Sequence, residues 1–92
     1  MKVTFLRSAV VDLRRITDYI ALDNPAAAER LVRRIDAHLD LITATGFAAM
    51  ARVGRRRGTR ELVEGSYIIT YRYDEEAREV VVVSVVHGAR RR

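Results

Sequence analysis

The apolar positions in the first half of the chain recur at the spacing of two amphipathic helices. A short β-branched and aromatic segment at residues 3–6 first predicts a strand. The apolar stripe of the first helix is then Ala9, Leu13, Ile16 and Ile20, and that of the second is Leu31, Ile35, Leu39 and Ile42, with Ala28 and Val32 beside it. Because only a short segment separates the stripes, we predict an antiparallel helical hairpin.

Polar residues predict where these helices begin and end. Ser8 offers an N-cap side chain for the first helix. Asp23-Asn24-Pro25 ends that helix, because the residue before a proline disfavours the helical conformation. The same segment starts the second helix, with Asn24 as the cap and Pro25 in the first helical position. Gly46 is expected just after the second helix.

The second half of the chain changes to the period of strands. Residues 59–63, 67–73 and 79–86 each predict a strand, with a turn at residues 64–66 after the first of them. A polar loop, residues 74–77, separates the last two. The segment before them, residues 48–58, is the only irregular stretch of any length.

Alternation along these strands predicts which side chains share a face. In the middle strand one face carries Tyr67, Ile69, Tyr71 and Tyr73, and the other carries Ile68, Thr70 and Arg72. Residues 79–86 are nearly all valine, which predicts a central strand covered on both faces.

The whole pattern predicts an α+β fold of order β-α-α-β-β-β, with one domain over residues 1–92. A helical hairpin packs on one face of a small, mostly antiparallel sheet, and the other face is partly free and carries a site.

Composition narrows the class of protein. Hydrophobic residues form 49% of the 92-residue chain, which suffices for one core. The absence of cysteine excludes a disulfide framework and a thiolate metal site. The apolar start is too short for a signal peptide, and no run is long enough for a membrane span. We therefore expect a cytoplasmic protein with no membrane association.

The net charge of +5 is concentrated in two arginine blocks. The first block is Arg52, Arg55, Arg56, Arg57 and Arg60, and the second is Arg90, Arg91 and Arg92. Such blocks attract polyanions, which are either nucleic acids or an acidic protein partner. They are also compatible with a solvated loop and tail.

Familiar catalytic motifs are missing from the sequence. It contains no glycine-rich phosphate loop, and no serine lies in a nucleophile elbow. His38 and His87 are far apart in sequence and have no cysteine partners, so no metal or cofactor is expected. His38 is expected to be a solvated surface residue on the second helix. For His87 a structural hydrogen bond and a functional role remain open.

A basic and aromatic set could nevertheless handle RNA. Its members are Arg60, Tyr67, Tyr71, Arg72, Tyr73, His87 and Arg90. Arginines can hold a scissile phosphate, a histidine can move a proton near neutral pH, and tyrosine rings can stack on bases. Cleavage of RNA by its own 2′-OH needs such groups. The alternative is that these side chains only pack or face solvent, with at least two tyrosines in the core.

Four groups of residues occur in a fixed order along the chain: Asp12-Leu13, Ile16 and Tyr19-Ile20, then Gly54-Arg55 and Gly58-Thr59-Arg60-Glu61-Leu62, then Tyr67-Ile68-Ile69 and Tyr71-Arg72, and finally Val86-His87-Gly88-Ala89-Arg90. With these motifs, the chain resembles the RelE/ParE family of toxins from bacterial type II toxin–antitoxin modules over essentially its whole length. The order β-α-α-β-β-β agrees with this family.

The resemblance implies one of two targets. RelE-like members are ribosome-dependent mRNA endonucleases with a basic residue directly after the tyrosine of the third strand and a further tyrosine near the C-terminus. Here Ile68 follows Tyr67, and Arg92 is not followed by a tyrosine. The His-Gly-Ala-Arg ending, residues 87–90, looks more like the ParE-like branch, whose characterised members poison DNA gyrase.

The resemblance also implies a partner and a role. A cognate antitoxin with an acidic, amphipathic C-terminal segment would wrap the toxin in a hetero-oligomer. The leading hypothesis is a gyrase-inhibiting toxin, associated with growth inhibition and plasmid stabilization. The second is an mRNA endonuclease that uses Arg60, Arg72, His87 and Arg90. The third is an inactive member that only binds its antitoxin. For target or antitoxin binding, the expected residues are Arg52, Arg55, Arg56, Arg57, Arg60, Tyr67, Arg90, Arg91 and Arg92.

Overall fold

The predicted order of elements is confirmed, with one strand added. The structure is a computed structural model that describes residues 2–45, 52–53, 58–74 and 76–88. Its elements are β1 (Lys2–Phe5), α1 (Arg7–Ala21), α2 (Pro25–Thr45), β2 (Arg52–Val53), β3 (Thr59–Glu64), β4 (Tyr67–Asp74) and β5 (Glu79–His87). Residues 48–58 were predicted to be irregular throughout, which is wrong for β2. This two-residue strand exists because it pairs with β3, a contact that local patterning does not reveal.

The five strands form one mixed sheet in the order β1-β5-β4-β3-β2. β1 runs parallel to β5, and the remaining neighbours are antiparallel. β5 is therefore a central strand, as predicted. The chain reaches the parallel position of β1 because the helical hairpin forms the crossover between β1 and the later strands.

The core lies between the helical hairpin and one face of the sheet. Both predicted helical stripes face it, with Ile35, Leu39 and Ile42 almost fully buried. From β4, Ile69 and Tyr71 are buried in this core, while Tyr67 and Tyr73 pack against its edges. The predicted tyrosine face of β4 is thus confirmed.

The prediction that β5 is covered on both faces holds for one face only. Val80, Val82 and Val85 point into the helix-side core and are buried. Val81 and Val86 are only half-buried, because both helices pack on the opposite face. We refer to the face without helices as the far face.

A β-bulge interrupts the pairing of β4 and β5. Thr70 pairs with Ser84 and Tyr71 with Val82, so Val83 is the extra residue on β5. β1 ends at Phe5, opposite Val82, so β5 continues beyond its parallel neighbour.

Beyond the end of β1, side chains of α1 form hydrogen bonds with the backbone of β5. The Ser8 hydroxyl donates a hydrogen bond to the carbonyl oxygen of Val83 at 2.7 Å. The backbone N–H of Val85 donates to Oδ2 of Asp12 at 3.1 Å. The predicted capping role of Ser8 is therefore wrong: the N-cap residue is Leu6, which has no side-chain cap, and Ser8 lies within the helix.

The boundary between the helices agrees with the sequence. α1 ends at Ala21 and α2 begins at Pro25. Oδ1 of Asn24 accepts a hydrogen bond from the N–H of Ala27 at 3.1 Å, which confirms the predicted cap. Gly46 lies outside the described residues.

Two turns join the last three strands. β3 and β4 are connected by Gly65-Ser66, and Gly65 has a φ of 57°, as expected for the first position of a two-residue hairpin loop. The N–H of Gly88 donates to the carbonyl oxygen of Ser66 at 2.7 Å, so the end of β5 is tied to this turn. In the loop after β4, the N–H of Ala77 donates to Oδ1 of Asp74 at 3.0 Å.

Candidate functional site

The β3–β4 turn and the end of β5 bring aromatic and charged side chains together. Tyr67 pairs with Glu64 of β3 on one side and with His87 of β5 on the other. The rings of Tyr67 and His87 meet edge to face, with centroids 5.3 Å apart and planes at 87°. His87 therefore has a packing partner, and its half-buried ring remains at the end of the sheet.

A cleft of about 190 Å³ opens beside Tyr67, where the turn between the helices approaches the β3–β4 turn. We call it the hairpin cleft; its walls are Ile20, Ala27, Arg30, Leu31, Arg34, Glu64, Gly65, Ser66 and Tyr67. Its charged groups come from α2 and from the end of β3. The lining of the cleft thus combines apolar side chains with two arginines and one glutamate.

Glu64 connects α2 to the sheet at this cleft. Its Oε1 lies 3.8 Å from Nη1 of Arg34, and its Oε2 lies 3.2 Å from Nδ1 of His38. The second contact is an ion pair only while the imidazole is protonated. The prediction of a solvated His38 is wrong, because its side chain is only 36% exposed and faces a carboxylate that is 13% exposed. The tertiary contact between α2 and β3 produces this pair.

Arg60 lies further along the same face. It pairs with Tyr71, whose side chain is fully buried and whose hydroxyl has no hydrogen-bond partner among the described residues. Burial raises the pKa of Tyr71, and the nearby guanidinium of Arg60 partly opposes this by lowering it. Tyr71 is therefore a core residue with a protonated hydroxyl rather than a base-stacking platform.

Arg72 lies on the far face. It is exposed and opens onto a cleft whose other walls include Asp74, Glu76 and Glu79. Its β5 partner is Val81, whereas His87 pairs with Tyr67, five residues earlier in β4. At roughly 3.3 Å per residue, Arg72 and His87 are separated by about 17 Å along the strands, in addition to lying on opposite faces.

The structure therefore does not bring together Arg60, Arg72 and His87, the three members of the candidate catalytic set that it describes. Arg60 and His87 share a face, but at roughly 3.3 Å per residue they lie about 13 Å apart along the strands. Arg72 lies on the far face. Of the predicted binding residues, Tyr67 lies in the hairpin cleft. The predicted residues Arg55, Arg56, Arg57, Arg90, Arg91 and Arg92 are outside the described part of the chain, and Arg52 is described only as a backbone position in β2.

Sequence reasoning missed the roles of Asp12, Glu64 and Arg34. Asp12 lies four residues after Ser8, so both fall on one side of α1, and this spacing was a readable signal. Glu64 was assigned only to a turn, and no local pattern reveals its contacts with α2. Within the described ranges, no group of three or more His, Asp or Glu side chains could hold a metal ion. No helix in these ranges is long and apolar enough to cross a membrane.

Comparisons with known proteins define the class of this fold. The chain matches the family described as the ParE toxin of the type II toxin-antitoxin system, parDE, over residues 3–92. It is 40% identical over 81 residues to the Sinorhizobium fredii protein Y4kP. This alignment covers 83% of this chain and 79% of the relative.

Solved structures share the architecture. One, from the chromosomal ParDE TA system of P. aeruginosa, has a TM-score of 0.75 at 21% identity and covers 95% of both chains. A chain of the RelBE2 toxin-antitoxin complex of Mycobacterium tuberculosis has a TM-score of 0.65 at 25% identity, covering 94% of this chain and 95% of its own. A chain of the intact E. coli RelBE complex has a TM-score of 0.63 at 13% identity, covering 92% and 97%.

The fold is thus that of the ParE and RelE toxins. The chain belongs to the ParE toxin family, and it is a toxin of a type II toxin–antitoxin system.

Proposed function

We propose that the protein inhibits DNA gyrase and is neutralised by a cognate antitoxin. The observation that supports this most is the separation of Arg60, Arg72 and His87, the three described members of the endonuclease set. A ribonuclease needs its cations and its proton carrier around one phosphate. A protein that acts by binding to another protein has no such requirement.

The surroundings of Arg72 add a second argument. The carboxylates of Asp74, Glu76 and Glu79 share its cleft, so the local potential opposes a phosphate group. An arginine that stabilises developing phosphate charge works best where other donors and cations reinforce it. Arg72 therefore fits a solvated edge residue better than a catalytic one.

An antitoxin partner agrees with the charge and with the known complexes. The solved structures that share this fold include toxin-antitoxin complexes. The chain carries a net charge of +5, which favours an acidic partner segment. The hairpin cleft, with Arg30 and Arg34 on its wall, offers such a segment both cations and apolar contacts. A growth assay tests the toxin itself: expression alone should arrest growth, and co-expression of the adjacent antitoxin should restore it.

Separate assays of the two targets test the proposal. The purified toxin should block gyrase supercoiling or trap gyrase–DNA cleavage complexes, and it should leave mRNA on translating ribosomes intact. Codon-position-specific mRNA cuts with unaffected supercoiling would instead establish the RelE-like endonuclease. Normal growth at high levels of soluble protein would favour the inactive antitoxin-binding member.

Paired variants at His87 separate proton transfer from packing. His87→Phe keeps a ring against Tyr67, whereas His87→Ala removes the 5.3 Å ring contact. A gyrase inhibitor should tolerate the phenylalanine. An endonuclease that relies on this imidazole should lose about 10²-fold or more in cleavage rate with either variant. Arg72→Ala serves as a control, because gyrase inhibition should not depend on it.

A further inference from the structure

The side of α1 that faces away from the core carries an unusual surface. The core side presents Ala9, Leu13, Ile16 and Ile20. On the opposite side a row with spacings of four, three and four residues consists of Val11, Arg15, Asp18 and Leu22, which we call the outer stripe. Val11 is 46% exposed and Leu22, at the C-cap, is 81% exposed. Arg15 and Asp18 are also exposed, and neither forms an ion pair with another described residue.

The order of residues in the outer stripe is self-complementary. Read forward, it is apolar, positive, negative, apolar. When a second copy of the helix is placed antiparallel about a two-fold axis midway between Arg15 and Asp18, each apolar residue meets an apolar residue and each charge meets its opposite. Val11 then lies opposite the partner's Leu22, and Arg15 opposite the partner's Asp18.

We propose that the outer stripe is an interface between two copies of this chain, which pair antiparallel through α1. The 4-3-4 spacing is the one that keeps a row of side chains along the seam between two packed helices. The two-fold axis repeats every contact, so Arg15 and Asp18 supply two ion pairs, and Val11 and Leu22 supply two apolar contacts.

The flanks of the stripe carry further exposed side chains. Tyr19 is 74% exposed on one side of the stripe, and Arg14 lies on the other side. Because the two-fold axis keeps each flank on the same side of the seam, the flank with Tyr19 lies beside the partner's flank with Tyr19. Val10, 44% exposed, widens the apolar patch beside Val11.

Charge also favours a second copy over an acidic partner at this place. The protein carries a net charge of +5, so two copies repel each other over most orientations. The outer stripe contains one cation and one anion and is neutral, which makes it a place where two copies can approach. An acidic segment would meet Asp18 as well as Arg15 and would gain no net attraction.

The size of the contact predicts a weak dimer. From Val11 to Leu22 the helix rises about 16 Å, and one pair of helices over this length falls at the low end of interface areas, below about 1,200 Å². We expect association at concentrations on the order of 10–100 µM, which corresponds to about 5.5–7 kcal/mol of binding free energy.

Charge exchange tests the interface, with sedimentation equilibrium of the full-length protein as the measurement. Arg15→Asp and Asp18→Arg each place like charges opposite each other twice, so each variant should be monomeric where the native protein dimerises. The double variant should dimerise again. An equimolar mixture of the two single variants should form a heterodimer, because only the mixed pair matches both charges.

Control variants account for net charge and folding. Arg33→Asp and Asp40→Arg make the same charge changes on exposed positions of α2, and both should dimerise like the native protein. Circular dichroism should show native helix content in every variant, since Arg15 and Asp18 are exposed.

Two results would overturn the proposal. One is a native protein that remains monomeric up to about 500 µM, well above the expected range. The other is dimerisation that neither single charge change weakens. If Arg15→Asp or Asp18→Arg instead weakens antitoxin binding in a monomeric toxin, the stripe belongs to the antitoxin. None of these outcomes depends on whether gyrase is the target.

Discussion

The side chain of Asp12 supplies a hydrogen-bond acceptor to β5 beyond the point where the neighbouring strand β1 ends. Its carboxylate accepts the N–H of Val85, a backbone donor on β5 beyond the last residue paired with β1. Without this acceptor, the partly buried N–H of Val85 would have no hydrogen bond. Leaving a buried donor unpaired costs more free energy than one hydrogen bond contributes to stability. Ser8 performs the complementary task for the carbonyl oxygen of Val83.

Asp12→Ala should therefore lower the free energy of unfolding by about 1–3 kcal/mol, because the N–H of Val85 is left without its acceptor. Asp12→Asn keeps a carbonyl oxygen and should cost less. Urea denaturation at neutral pH measures both. Asp40→Ala, at an exposed position of α2, should change stability by no more than about 0.5 kcal/mol. Equal effects of Asp12→Ala and Asp40→Ala would show that the hydrogen bond contributes little.

Tyr71 presents the opposite case, a buried polar group whose hydroxyl has no hydrogen-bond partner among the described residues. Tyr71→Phe removes only this hydroxyl and should leave stability at neutral pH unchanged or raise it by about 1 kcal/mol. Thermal unfolding measures the difference. A loss above about 1 kcal/mol would mean that the hydroxyl is hydrogen-bonded in solution.

The raised pKa of Tyr71 also predicts a dependence on pH. Below the ordinary tyrosine pKa of about 10, the hydroxyl is protonated in both the folded and the unfolded chain, so it adds no slope. Above about pH 10 the unfolded chain releases this proton first, so the free energy of unfolding falls as pH rises towards the folded pKa. In urea denaturation between about pH 8 and 11, the free energy of unfolding should fall less steeply with pH for Tyr71→Phe than for the native protein. Identical slopes would contradict a raised pKa for Tyr71.

At the scale of elements, the β3–β4 hairpin organises the end of the sheet. The Gly65-Ser66 turn positions Glu64 and Tyr67 as neighbours and supplies the carbonyl oxygen that Gly88 binds. The turn thus connects β3 to β4 and is hydrogen-bonded to the end of β5, and Glu64 contacts Arg34 of α2. The hairpin cleft lies where these elements come together.

Gly65→Ala should lower the free energy of unfolding by about 1–2 kcal/mol, because a side chain is disfavoured at positive φ. The backbone is the only cause, since an added Cβ would have no atom within 4 Å. Gly65→Asn should cost less, because asparagine tolerates this conformation better. Chemical denaturation tests the series, with Ser66→Ala as a nearly neutral reference. If the alanine variant at Gly65 matched that reference, the turn would have relaxed to another conformation.

At the scale of the whole molecule, charge is distributed unevenly along the chain. The outer stripe of α1 is neutral, whereas the net charge of +5 resides largely in the second half of the sequence. In sequence, the arginine block at residues 52–60 precedes β3, the first strand of the hairpin, and its last member, Arg60, lies within that strand. A basic toxin surface of this kind should accelerate encounter with an acidic antitoxin segment.

Charge reversal of Arg55, Arg56 and Arg57 to glutamate should slow association with the antitoxin and weaken the dependence of the rate on salt. Stopped-flow mixing at low and high ionic strength measures both effects. Reversal of Arg7, Arg33 and Arg78 is the matched control, because these exposed arginines are scattered over the described surface. The prediction fails if both triple variants slow association equally, since only net charge would then matter.

The sequence by itself determined the elements and much of the core. Helical and strand periods identify both helices, the tyrosine face of β4 and the Asn24 cap, because hydrophobic spacing and capping act within a few residues. Only the tertiary structure decided which distant residues meet. The pairing of β2, the Asp12 hydrogen bond to Val85, the Glu64–His38 contact and the separation of Arg72 from His87 all join or divide segments far apart in the chain. Such contacts depend on strand order, register and the bulge in β5, and none of these has a period that can be read along one segment.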